Sequence, residues 1–417
     1  MCQWFTILAM VLLSSRLVAR EAFTLRYEEL PSLIQKNSLD VRAAELFAEA
    51  SFARHGYPLR GRYPRLDFES GLRGVRELDG SGDSAPYFKM EGSLSLYSGR
   101  RDAIKEAVQE KESEIRKEQV ALVSRDQLRL AQKLFVRLAA VRELGKAWAD
   151  AMRVAEAKKK STQMKLAAGL TTSTDLLEFE LYETSLRRQK RTLDREEHEL
   201  SNKLILLAGL DEDRAILLDR SFPPPSEPID TRYKLATENH PLVKKFSLLA
   251  EQAQAGGRTL RSRWVPDVNL YASYEEYLKA DQDVSRALPR RDFSTGVRLS
   301  IPLGENLAVQ SESVAKGLEA SAYRLQKEQT VRQLEAEYHA YRHDMAVLSD
   351  LIRSFATQME KARKYLKQTS EEYERGVKNG PDVLEASRSL YQTQVESIQV
   401  LFDYYLVEVD LNELTQP

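Results

Sequence analysis

Residues 291–301, Arg291-Asp292-Phe293-Ser294-Thr295-Gly296-Val297-Arg298-Leu299-Ser300-Ile301, alternate in polarity with a period of two. Phe293, Thr295, Val297, Leu299 and Ile301 fall on one side of an extended chain; Ser294, Gly296, Arg298 and Ser300 fall on the other. Three more segments read alike. Leu66, Phe68 and Leu72 alternate with Arg65, Asp67, Glu69 and Arg73. Phe88, Met90, Leu94 and Leu96 alternate with Lys89, Glu91, Ser93 and Ser95. Val268, Leu270, Ala272 and Tyr274 alternate with Asp267, Asn269, Ser273 and Glu275. Strands are therefore expected at about 63–75, 86–98, 265–277 and 291–302. Each has about ten residues, the length of a tilted strand that crosses a bilayer. Alternation by itself fits equally well an antiparallel sheet on a soluble core. The polar side decides between them: it carries charges of both signs, and no second element is available to cover it, as a water-filled lumen requires. Tyr63, Tyr87, Tyr97, Trp264, Tyr271 and Tyr277 cluster near the segment ends and are expected at the membrane interface. Four strands cannot close a barrel, and a sheet edge cannot face lipid, so the barrel must be shared among protomers. The segments Arg76 to Ala85 and Leu278 to Arg290, rich in Gly, Asp, Ser and Arg, are the expected hairpin loops.

Outward from the strands, the chain repeats itself. Asn37-Ser38-Leu39-Asp40-Val41 resembles Asn239-His240-Pro241-Leu242-Val243, 202 residues later. Leu94-Ser95-Leu96 with Gly99 resembles Leu299-Ser300-Ile301 with Gly304, and Gly169-Leu170 with Asp175-Leu176-Leu177-Glu178 resembles Gly376-Val377 with Asp382-Val383-Leu384-Glu385. The order is kept, so the chain is a structural duplication. The first repeat covers 20–210 and the second 238–417, joined by a Pro-rich linker at 211–237 expected to be irregular. Each repeat holds a short helix, two strands, a very long charged helix and a helix about half as long. The short helices are expected from Leu39 to Leu59 and from Pro241 to Arg263. The long helices are expected at 101–168 and 305–375, and the half-length ones at 174–208 and 381–414. The long helices contain no Pro, and at 1.5 Å per residue each spans ~100 Å, longer than a compact domain is wide. An elongated coiled assembly is expected, with the short and half-length helices stacked antiparallel beside the long one.

Composition narrows the function. Lys and Arg number 62 and Asp and Glu 63, so there is no basic excess to bind nucleic acid. With 30% charged residues, several apolar runs of ~20 residues do not occur, which excludes a polytopic helical membrane protein. The apolar run Trp4 to Leu13 is too short to span and fits a signal peptide over residues 1–19, cleaved after Ala19. The single cysteine, Cys2, would leave with it, which suits export to an oxidising compartment. No lipid anchor is expected. His339 and His343 stand four apart on a helix, a spacing that can hold Zn²⁺, but their charged surroundings point to a solvated face. No phosphate loop or nucleophile elbow occurs, so neither an enzyme nor a cofactor is expected.

Four pieces of sequence resemble the TolC family of outer-membrane efflux proteins. They are Asn37-Ser38-Leu39-Asp40-Val41-Arg42-Ala43-Ala44, Tyr63-Pro64-Arg65-Leu66 with Val265-Pro266-Asp267-Val268, Leu299-Ser300-Ile301-Pro302-Leu303, and Tyr373-Glu374-Arg375-Gly376 followed by Pro381-Asp382-Val383-Leu384-Glu385-Ala386. Ala168-Gly169-Leu170-Thr171-Thr172-Ser173-Thr174-Asp175 is the first-repeat version of the last. The resemblance implies a mainly α fold with membrane β: a homotrimer with a twelve-stranded outer-membrane β-barrel shared by three copies and an α-barrel through the periplasm. Its partners would be a periplasmic adaptor and an inner-membrane transporter, and its role a passive exit duct for efflux or type I secretion. It implies that Gly169, Leu170, Thr171, Gly376, Val377 and Asn379 meet the adaptor. It also implies that Asp175, Tyr373, Lys378, Asp382 and Glu385 form the gate, with Lys378 where an Arg is often found. The rival reading is a soluble periplasmic coiled-coil scaffold or adaptor-like protein, which would share the long helices but has no need of strands with apolar outward faces.

Overall fold

The computed structural model describes residues 22–54, 63–76, 82–210, 215–219, 222, 235, 237–261, 265–278, 291–301 and 306–415. The expected signal peptide, Trp264 and much of the 211–237 linker lie outside them. In chain order the elements are β1 (Ala22–Leu25), α1 (Leu30–Asn37), α2 (Leu39–Ala53), β2 (Arg65–Arg76), β3 (Gly82–Tyr97), α3 (Arg101–Ala167), α4 (Ser173–Leu207), β4 (Ala215–Leu218), α5 (Pro241–Arg261), β5 (Asp267–Tyr277), β6 (Arg291–Ser300), α6 (Asn306–Glu374) and α7 (Gly380–Thr415). Two differences from the sequence reading stand out. The strands β2 and β3 run further into the first expected loop, as far as Arg76 and back from Gly82. The segment read as irregular linker contains the strand β4, which pairs in parallel with β1 from Ala22↔Ala215 to Leu25↔Leu218. Among the described residues, no helix is long and apolar enough to cross a membrane.

The elements sort into two units. One is drawn from residues 1–43, 123–237 and 333–417. Its core joins Leu25, Leu30, Ile34 and Val41 to Phe135 and Leu138 of α3, Leu204 of α4 and Ile216 of β4. Phe135 is almost fully buried and meets Tyr27 edge-on at 5.5 Å between centroids. Burying a side chain of that size contributes about 1.5–3 kcal/mol. Arg142 ties the same region together, donating to Ile216 O at 2.7 Å and to Glu197 at 2.8 Å. A second cluster packs Ala151, Met152 and Ala155 of α3 against Phe179, Tyr182 and Leu186 of α4 and Leu384 of α7.

The other unit, from 44–122 and 238–332, holds the four-stranded antiparallel sheet in the order β2-β3-β5-β6. Here α5 lies along the first part of α3 through polar contacts, Lys245 to Gln119 at 2.6 Å and Gln252 to Glu112 at 2.8 Å. Along α6 the covered positions step by three and four residues, as at Val309, Ser313, Lys316, Ala320, Tyr323 and Lys327. That is the 3.5-residue period of a coiled coil, and it explains how a helix this charged keeps one covered seam.

Candidate functional site: the sheet and the helix turns

The sheet has two unlike faces, set by register. Phe68 stands opposite Met90, Met90 opposite Tyr274, and Tyr274 opposite Phe293, which makes one apolar row across all four strands. Leu66, Gly92, Ala272 and Thr295 form the next row, and Leu94, Leu270 and Val297 the one after. The face is open: Phe68 is 67% exposed, Leu72 76% and Phe293 68%. A soluble domain would cover side chains of this size, and contiguous exposure of them marks a surface that meets another apolar phase. Among the described residues β2 and β6 pair on one side only, so both edges are open.

The expected interface aromatics divide. Tyr87 and Tyr277 are only 7% and 4% exposed and lie on the polar face, where Tyr87 bonds Glu69 and Tyr277 bonds Glu275. Tyr271 is on that face too, under Arg298 at 4.6 Å. All three therefore stand on the polar face, away from the apolar rows. Strand parity is the reason, since Tyr87 shares its side with Lys89 and Glu91, and Tyr271 and Tyr277 share theirs with Ser273 and Glu275. The aromatics on the apolar face are instead Phe68, Phe88, Tyr274 and Phe293, with Phe68–Phe88 at 6.4 Å and Phe88–Tyr274 at 5.9 Å between centroids. The same parity would have found them. Tyr97 is a different case. A register shift between Ser95 and Tyr97 sets it opposite Val268, in step with the apolar row, and it is exposed. Tyr63 is exposed just before β2.

Both helix-to-helix turns are built alike. Gly169 has φ +71° and Gly376 φ +79°. Leu170 N–H reaches Lys165 O at 2.8 Å and Gly169 N–H reaches Leu166 O at 3.0 Å. Val377 N–H reaches Glu372 O at 2.9 Å and Gly376 N–H reaches Tyr373 O at 3.1 Å. This is the double-bonded Schellman stop, whose left-handed residue costs least as Gly. It leaves Leu170 76% and Val377 72% exposed. The following helices are capped differently. Thr172 accepts from Asp175 N at 3.3 Å, and Thr171 bonds the Asp175 carboxylate. Asn379 and Asp382 cap reciprocally, at 3.1 Å and 3.2 Å, with Lys378 4.0 Å from Asp382. The two helix starts adjoin: a Cβ on Gly380 would lie 3.3 Å from Asp175 Cβ and 3.4 Å from Phe179.

Of the expected gate residues, Asp175 and Asp382 sit at these two helix starts, and Glu385 is exposed one turn along α7. Tyr373 stands apart from them, one turn before Gly376. It is buried in the seam between α3 and α6, its hydroxyl 3.0 Å from Thr162 Oγ1. Lys165 Nζ lies 3.5 Å from the ring centroid and donates to Tyr373 O at 2.8 Å. Tyr373 continues the covered three–four series of α6 after Ala362, Leu366 and Thr369, so packing turns it inward. Beside it Lys158 bonds Glu374 at 2.9 Å and holds that carboxyl below its ordinary range. Lys158, Thr162 and Lys165 were not singled out from sequence, because lysines on a charged helix carry no distinguishing signal.

Residues 233–415 match the outer membrane efflux protein family. No curated protein matches the chain by sequence. Among solved structures it is similar to the outer membrane protein VceC of Vibrio cholerae, at 14% identity over 93% of this chain and 95% of that one, with a TM-score of 0.78. It is similar to CusC, at 18% identity over 94% and 92% of the two chains, TM-score 0.77. It is also similar to the CmeC outer membrane channel of Campylobacter jejuni, at 13% identity over 93% and 85%, TM-score 0.77. These likenesses establish that the fold, long helices joined to a small sheet, is that of outer-membrane channel proteins. The family match covers residues 233–415, the second repeat, and there the chain is similar to outer membrane efflux proteins.

Proposed function

We propose that the chain is one third of a passive exit duct in the bacterial outer membrane, extending into the periplasm. The observation that carries this reading is the four-stranded sheet with an exposed apolar face and two open edges. Open edges cannot persist in lipid, and a ring of such sheets is the remedy. Three copies would give twelve strands, with apolar residues outward and the charged face lining water. A second set of exposed apolar positions supports assembly: Val314, Leu318 and Leu325 on α6, and Leu46, Phe47 and Phe52 on α2. Such side chains fit against neighbouring copies in an α-barrel. In this reading Leu170 and Val377, with Gly169, Thr171, Gly376 and Asn379, dock a periplasmic adaptor that couples the duct to an inner-membrane transporter. Asp175, Lys378, Asp382 and Glu385 line its constriction. The cargo class, small molecule or secreted protein, would be chosen by the transporter.

Cell fractionation with cross-linking tests the reading. The full chain is expected in the outer-membrane fraction, released only by detergent, and cross-linked as a trimer. Recovery as a monomer in the detergent-free periplasmic fraction would replace the duct by the coiled-coil scaffold reading.

A further inference from the structure

The polar face of the sheet carries one arrangement twice. On β2, Gly71 stands directly opposite Tyr87 of β3. On β6, Gly296 stands directly opposite Tyr271 of β5. In each case the ring lies over the glycine: a Cβ there would sit 3.3 Å from Cε1 of Tyr87 or of Tyr271. Two residues beyond each glycine, on the same face, is an arginine. Arg73 Cζ is 4.5 Å from the Tyr87 ring centroid, and Arg298 Cζ is 4.6 Å from that of Tyr271. Each arginine then reaches a carboxylate one strand further on. Arg73 passes over β3 to pair with Glu275 of β5, and also donates to the Tyr277 hydroxyl at 2.7 Å. Arg298 passes over β5 to Glu91 of β3, at 3.7 Å. Glu69 accepts from the Tyr87 hydroxyl and fixes the first ring further.

The symmetry has a mechanical sense. β2 and β3 come from the first repeat and β5 and β6 from the second, and among the described residues the two hairpins share only the β3–β5 ladder. Among the same residues each edge strand is bonded to one neighbour. The arginines bridge to the strand beyond, so each edge is tied to the other hairpin. A guanidinium over an aromatic face is attracted by the ring quadrupole, and its fork keeps N–H groups free for a carboxylate. A tyrosine ring that lies flat over a glycine also takes no room in front of the sheet. We propose that these two Gly-Tyr-Arg-Glu laces are positioning devices: they hold the lumen face flat, keep both edges ready for the next protomer, and so set the bore of the duct. The inference rests on the duct reading above. Any side chain at Gly71 or Gly296 would claim the volume of the ring and force it to stand into the lumen.

Single-channel recording of the purified full-length protein in planar bilayers tests this. Gly71→Val with Gly296→Val leaves every lumen charge in place and is expected to lower conductance. Adding Tyr87→Ser and Tyr271→Ser removes the displaced rings and is expected to restore it. Arg73→Lys with Arg298→Lys keeps the charge but loses the planar fork, and is expected to raise open-channel noise. Wild-type conductance and noise in the glycine and the arginine variants would overturn the proposal. If the glycine variant fails to assemble, the arginine variant decides. A wild-type protein without channels would strike the duct reading instead. The laces are then read from thermal unfolding of Arg73→Gln, Glu275→Gln and both together, where strictly additive losses would overturn them.

Discussion

The turn at Gly209 and the turns at Gly169 and Gly376 share a backbone and differ in their surroundings. At Gly209, φ is +60°, Gly209 N–H reaches Leu206 O at 3.2 Å, and Leu210 N–H reaches Ile205 O at 3.0 Å. That is the same helix stop as in the other two. A Cβ on Gly209, however, would lie 2.8 Å from Asn37 O and 2.9 Å from Asn37 Cβ. Asn37 in turn donates from Nδ2 to Ala208 O at 3.1 Å. At Gly169 and Gly376 nothing lies within 4 Å of the added atom. One local solution therefore serves as a packed joint in one place and as an exposed end in the others. The packed joint locks the end of α1 to the end of α4; the exposed ends present Leu170 and Val377.

The largest expected effect sharpens this contrast. Gly209→Ala must bear left-handed strain of about 1–2 kcal/mol and also push Asn37 away, losing a bond worth about 1 kcal/mol, so a loss of about 3 kcal/mol is expected in denaturant unfolding. Gly169→Ala and Gly376→Ala bear the strain alone, about 1–2 kcal/mol each. Equal losses at all three sites would break the comparison. Next come the caps that set the two exposed turns apart. Asn379→Ala removes a reciprocal pair and is expected to cost about 1 kcal/mol, and Thr172→Ala, with its longer bond, about 0.5 kcal/mol. The reverse order would show that Thr171 and Asp175 carry the first turn.

Acid should act on the seam beside the Gly376 turn. Hydrogen bonding to Lys158 lowers the pKa of Glu374. A lowered carboxylate pKa contributes stability that is complete above the ordinary value of about 4.3 and is lost as pH falls through the folded value. The melting temperature of the wild type is therefore expected to fall toward that of Glu374→Gln below about pH 4; a constant gap down to pH 3 would remove Glu374 from the seam. Tyr405 of α7 shows the opposite direction, pushed up to about 12 by burial and then by Glu408. The smallest stability effect is expected for Leu170→Ser with Val377→Ser, within about 0.5 kcal/mol, because both side chains are already in solvent. Capture of a periplasmic adaptor on a column should nevertheless fall, and unchanged capture would remove these turns from the docking surface.

Much of this was legible in the sequence because it is local. Period-two alternation marked all four strands, the absence of proline marked α3 and α6, and Gly169 and Gly376 marked the ends of both long helices. Parity also contained the correct faces of Tyr87, Tyr271 and Tyr277, although closeness to segment ends suggested lipid. The bulge that re-aims Tyr97 was not legible, since one extra residue in a strand has no compositional mark. The partners of Tyr373 were not legible either: its position in the covered series of α6 turns it toward Thr162 and Lys165.

The sequence by itself determined the duplication, the element lengths and the two polarities of the sheet, because these depend on spacing along one chain. Only the tertiary structure decided what stands across from what. Gly71 lies under Tyr87, and Arg73 reaches Glu275, through register between strands joined by ladders rather than by neighbouring residues. Gly209 is closed by Asn37, 172 residues away in the chain. Such pairings follow from packing many side chains at once, and no single segment carries them.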